Sequence, residues 1–215
     1  MGTLWLHAIA VDDVRDIFGT DASEAARLRA VAAERFGRPT PKYGLLGKLG
    51  PLFARPIDAP VIGPDTPGRE DCDRLLAGQH VPPDRLAASW RLLEVWLEAK
   101  AWSSHAVTLD EHSLNAIEFD LGRAEIPVRY GVRSLVAREL GIPLRTGPSV
   151  VAGYAPGHHV PPLAEAWRAA LPGLEPETRE WIGELLGWLD GFVNWTQAAE
   201  AEQRPRPDLV GIAVA

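Results

Sequence analysis

The chain opens on an alternation. In "TLWLHAIAV" (residues 3–11), Leu4, Leu6 and Ala8 alternate with Trp5, His7 and Ile9. A period of two puts the two sets on opposite faces of a strand, so a moderately buried strand is predicted here. The chain ends on a second apolar run, "DLVGIAVA" (208–215), read as a terminal strand. Pairing of the two would tie both ends into one sheet. A further strand is predicted in "SVVAGYA" (149–155).

Between these segments the helical period dominates. A short helix is predicted over 12–18, stopped by Gly19. Asp21, with Glu24 three residues on, reads as a capping box. Ala25, Leu28, Val31, Ala32 and Phe36 then keep helical spacing up to Gly37. Thr66 or Asp65 reads as the cap of a helix ending at Gly78. Leu86, Trp90, Leu93 and Leu97 form the stripe of a core-facing helix over 83–102. Thr108 to Glu111 reads as another capping box, opening a helix that ends near Gly122. A helix is also predicted from Tyr130 to Leu140, closed by Gly141 and Pro143. Pro176 opens the most regular segment, in which Trp181, Leu185, Trp188, Phe192, Trp195 and Ala199 alternate steps of four and three. Gly183, Gly187 and Gly191 repeat on another face of it. Each glycine weakens a helix by roughly 0.5–1 kcal/mol relative to alanine. They point to a close backbone approach or to a break at Gly191. The expected fold is α+β and mostly helical, with about 7–8 helices around a small sheet that includes the N- and C-terminal strands. One domain is expected over residues 1–215.

One stretch follows neither period. Seven prolines and six glycines between Gly37 and Gly68 exclude a helix or a central strand. A loop this long inside a compact domain is commonly functional. From Arg35 to Ile57 it is basic, with no acidic residue, and apolar side chains interleave with the charges. Lys42, Tyr43, Lys48, Phe53 and Arg55 are therefore the candidate binding residues of a contact surface or lid. "GLLGKLG" (44–50) lacks the spacing of a phosphate loop.

Composition narrows the classes. The formal net charge is -7, from 29 acidic and 22 basic residues, which argues against nucleic acid as a partner. Cys72 is the single cysteine, so neither an internal disulfide nor a cysteine-based zinc site is possible. The first residues lack the basic region and cleavage site of a signal peptide, and no apolar run is long enough to span a membrane. A cytoplasmic location with no membrane association is expected. No cofactor motif is present, and no cofactor or metal is expected.

The candidate chemistry rests on a repeated phrase. "GQHVPPDRLAASW" begins at Gly78 and "GHHVPPLAEAW" at Gly157. Proline suits the first helical turn, where its missing N–H would have no partner. Valine before proline is held extended. The phrase is thus a way to start a helix, and its tryptophan falls on the buried stripe. The histidines are not required by that geometry. His80, His158 and His159 are the weak catalytic candidates, provided that the two loops meet. His7 reads as a strand-face residue, and Ser103, Ser104 and His105 lack the elbow that would present a nucleophile.

The expected function is a cytoplasmic protein-binding module of an immunity-type or regulatory kind, acting on a partner protein. The alternative is a small-molecule enzyme or ligand-binding protein. Its aromatic and histidine-lined pocket would be covered by the 37–57 loop.

Overall fold

The first and last strands of the chain lie side by side in the middle of one sheet. In the computed structural model, which describes residues 2–37, 65–147 and 149–214, β1 (Thr3–Ile9) runs antiparallel to the C-terminal strand (Asp208–Val214) from Thr3 opposite Val214 to Ile9 opposite Asp208. The C-terminal strand is β4, after β2 (Ser104–Thr108) and β3 (Val150–Ala155). The order is β2-β1-β4-β3, antiparallel throughout. β2 carries no clear sequence signal. Only Val107 of its five residues is buried, and pairing with β1 makes it a strand.

Because strand side chains alternate, β1 feeds two cores. Leu4, Leu6 and Ala8 enter one of them. Ile9 enters the other, with Trp5 packed against it. The chain fills the second core first, with α1 (Val11–Arg15), α2 (Ala22–Phe36), α3 (Arg69–Leu76) and α4 (Leu86–Lys100). It then fills the first core with α5 (Glu111–Arg123), α6 (Val160–Ala170), α7 (Pro176–Leu189) and α8 (Phe192–Ala201). The predicted α+β architecture is present, mostly helical with both terminal strands in the sheet. Burying one side chain of leucine size contributes about 1.5–3 kcal/mol. Leu4, Leu6 and Ile9 are each at most 3% exposed, so β1 is held by packing on both faces as well as by two ladders.

Asp208 adds a polar tie at the start of β4. Its carboxylate accepts the Val11 N–H at 3.0 Å and the Gly157 N–H at 2.9 Å. One side chain thus anchors the start of α1 and the 3-10 turn before α6, at the ends of two different strands.

The helix starts agree with their prediction in one case and differ in two, each for a reason set by side-chain partners. Asp21 caps α2 as expected, accepting the N–H groups of Ser23 and Glu24. Glu24 does not complete the box, because its carboxylate is held by Arg27 and Lys100. α3 starts after Gly68 rather than at Asp65 or Thr66. There the Asp71 carboxylate accepts the Gly68 N–H at 2.8 Å and pairs with Arg85. α5 is capped by Asp110, which accepts the Ser113 N–H, while Thr108 belongs to β2.

The helix predicted over 130–140 is absent. Two 3-10 turns, Val128–Tyr130 and Val132–Val136, take its place, and Arg138 then bridges to Tyr154 of β3. The cause lies in the sheet. Gly153 and Gly211 are opposite each other on β3 and β4. A Cβ at Gly153 would collide with the Val136 carbonyl, and one at Gly211 would meet the Val136 side chain. The paired glycines leave a notch in the sheet into which Val136 descends, and a regular helix would not reach it.

The glycine series near the C-terminus also resolves. α7 ends at Leu189 and α8 begins at Phe192, so the chain breaks at Gly191. Among the described residues, nothing lies within 4 Å of a Cβ placed at Gly183 or Gly187, so neither marks a close backbone approach there. Gly183→Ala and Gly187→Ala should each raise unfolding free energy by about 0.5–1 kcal/mol. Gly153→Ala should lower it by about 1–3 kcal/mol through overpacking. Equilibrium denaturation in guanidinium checks both signs, and an unchanged Gly153→Ala variant would mean that the notch is loose.

Candidate functional site

The two copies of the repeated phrase do start helices. The first enters α4 through a 3-10 turn at Pro83–Arg85, and the second enters α6 through one at Gly157–His159. Their valines are anchored in different cores, Val81 with α1–α4 and Val160 with α5–α8. The phrases therefore pack on opposite faces of the sheet. His80 and His158 are exposed. His159 is half-buried; its Nε2 lies 2.9 Å from the Arg129 carbonyl, and its ring stands 5.1 Å from Tyr130. Among the described residues, no group of three or more His, Cys, Asp and Glu side chains is placed to hold a metal ion. Lys42, Tyr43, Lys48, Phe53 and Arg55 lie outside the described residues.

The local trio Ser103, Ser104 and His105 is divided by the sheet. Ser104 meets His7 across the β1–β2 pair, with its Oγ 2.8 Å from His7 Nδ1. His7 is fully buried, and among the described residues its Nε2 has no hydrogen-bond partner. Burial without a counter-charge disfavours the imidazolium and lowers the His7 pKa to about 4. His105 is stacked on Trp188, with Nε2 3.5 Å from Glu184 Oε1. Ser103 Oγ accepts from Trp188 Nε1 at 3.0 Å. Neither serine hydroxyl is paired with His105.

Tryptophan serves here mostly as a clamp. Indole N–H groups donate from Trp90 to the Arg145 carbonyl, from Trp96 to Leu28, from Trp167 to Tyr130 and from Trp181 to Thr108. Trp90 and Trp96 belong to one core, and Trp181, Trp188 and Trp195 pack against the other. The aromatic rows of α4 and α7 thus pack against different cores. Trp181 and Trp188 also touch β2, through the Thr108 carbonyl and the His105 ring.

Among the described residues, the opposite edge is open in part. Beside β3 lies a groove of about 560 Å³, lined by Trp90, by residues 139–146 and by Val150, Val151 and Ala152. No histidine lines it. Leu140, Leu144 and Trp90 are buried residues of the α1–α4 core, while Val151 is 57% exposed. The wall facing β3 is pinned by two side chains. Arg15 Nε donates to the Leu140 carbonyl at 2.8 Å, and Trp90 Nε1 donates to the Arg145 carbonyl at 2.9 Å. Gly141, at φ +69°, turns the chain away from the sheet in a conformation that favours glycine. These residues were not candidates from the sequence. Gly141 and Pro143 were legible as a helix stop, but a wall is defined only by what it faces.

No family model matches this chain, and neither a curated protein nor a solved structure matches it.

His7 makes the stability depend on pH. Its folded pKa is below its unfolded value of 6.5, so the unfolded state binds the proton more tightly. The contribution is complete above pH 6.5 and is lost as pH falls towards 4. Across about 2.5 pKa units it amounts to about 3 kcal/mol. Glu24, lowered to about 2 by Arg27 and Lys100, acts in a lower window, between about pH 4.5 and 2. Urea denaturation midpoints should therefore fall between pH 6.5 and 4.5 in the wild type. A His7→Leu variant should have a flatter profile in that window. An identical slope in both proteins would contradict the assignment.

Proposed function

We propose that this chain is a cytoplasmic protein-binding module, of an immunity-type or regulatory kind, that receives a partner protein in the groove beside β3. The observation that carries this reading is the sheet edge left open within a pinned, apolar-floored groove. Open edges are ready-made templates for another chain, and an exposed valine on such an edge is a contact residue in waiting. The groove volume alone would also accommodate a small ligand. Among the described residues, its lining is mostly main chain and apolar side chains, which suits a binding role. The cytoplasmic placement rests on the single cysteine, which is buried in the α1–α4 core, and suits a reducing compartment.

The test is affinity capture from the native host with the wild-type chain and with Val151→Glu. Val151 is exposed, so this change should leave the fold intact. One protein should be retained in stoichiometric amount by the wild type and reduced at least about tenfold by the variant, as a desolvated charge in an interface predicts. Capture of no protein, or capture indifferent to Val151→Glu, would remove the reading.

A further inference from the structure

We infer that the groove takes an extended segment of the partner polypeptide as an added strand on β3, anchored on the main chain of Ala152. The inference rests on the protein-binding reading and specifies its chemistry. In an antiparallel sheet, alternate residues of a strand bond to opposite neighbours. Tyr154 bonds outward, away from β4: Arg138 N–H donates to the Tyr154 carbonyl at 3.3 Å, and Tyr154 N–H donates to the Arg138 carbonyl at 2.9 Å. By the same alternation, the N–H and C=O of Ala152 also point outward. The ladder begun at Arg138 would next pair Leu140 with Ala152. It does not, because Arg15 holds the Leu140 carbonyl and Gly141 turns the chain away. Among the described residues, the outward groups of Ala152 have no partner, and they face the groove.

The far end of the opening is also defined. Val150 N–H donates to the Gly147 carbonyl at 3.2 Å, which closes the edge on that side and leaves the Val150 carbonyl outward. The opening thus offers one donor and two acceptors. A strand entering antiparallel to β3 would exchange two bonds with Ala152 and give a third to Val150. The incoming residue opposite Ala152 would place its side chain on the Ala152 face of the sheet. That face belongs to the core containing Trp90, Leu140 and Leu144. The site therefore selects an aliphatic side chain at this position. Its two neighbours point to the other face, beside exposed Val151, and are weakly specified. Backbone bonds supply affinity and one pocket supplies selectivity, as in other strand additions.

The experiment uses phage-displayed random octapeptides selected on the full chain, followed by synthesis of an enriched peptide. Selected sequences should share one aliphatic position. N-methylation at that residue should weaken binding at least about tenfold by removing a main-chain bond. N-methylation one residue away should be tolerated, giving a period of two along the peptide. Ala152→Pro, which deletes only the outward donor, should weaken binding similarly. The N-methyl scan on the ligand gives the same information if that variant folds poorly. Peptides that Val151→Glu excludes but that N-methylation leaves untouched would overturn strand addition while leaving the protein-binding reading in place. Peptides indifferent to both would overturn the two together. Concentration-dependent dimerisation lost in Val151→Glu would make the occupant a second copy and also overturn the inference.

Discussion

The structure depends on the antiparallel pairing of its two ends. β1 and β4 are the central strands, and each helix layer is built on one of the faces they create. With neighbours on both sides, each of these strands has partners for both rows of its main-chain groups. The two long segments between them are then sorted by order: α1 to α4 come before β2 and β3 and cover one face, whereas α5 to α8 cover the other. Such a sheet closes only when the last strand arrives. Its central contact joins residues about two hundred positions apart, and long-range pairing of this kind is slow to form. The Asp208 carboxylate reinforces the closure by binding the starts of two helical segments beside the same strand.

A second constraint follows from the glycines within that sheet. Gly153 and Gly211 remove two side chains from one face, and Val136 fills the space. The 130–140 segment is drawn down onto the sheet, so it reaches β3 at Arg138 and forms a single bridge. The ladder stops there, because Arg15 holds the Leu140 carbonyl and Gly141 turns the chain away, and Trp90 holds the Arg145 carbonyl further on. The groove is thus a consequence of how one segment meets β3 and how two side chains carry it away again. At the other edge, at β2, α7 makes two contacts: Trp181 Nε1 donates to the Thr108 carbonyl and Trp188 stacks on His105. The tryptophans serve in core packing and in these indole cross-links.

The elements that were legible in the sequence are those whose signal is local and repeated. The alternation from Leu4 to Ile9, the stripe of α4, the proline starts of α4 and α6 and the break at Gly191 all come from one period or one backbone preference. The misplaced boundaries come from side chains with a choice of partners. At α2 the boundary is where Asp21 predicts it, and only the box fails to close, because Glu24 is held by Arg27 and by the distant Lys100. Thr108 has a capping residue's chemistry but is taken by the ladder with β1. The repeated histidine phrase is a helix start in both places, as its prolines require, yet its two copies serve opposite faces of the sheet.

The sequence by itself determined the α+β class, the strands at both ends and most of the helical stripes, because hydrophobic periodicity acts within a few residues. Tertiary structure alone decided that Ser104 meets His7 rather than His105, that Val136 enters a glycine notch, and that Ala152 keeps outward main-chain groups beside a groove. Each of these depends on which distant groups compete for the same donor, acceptor or space. That competition has no period along the chain, and only the folded arrangement brings its participants together.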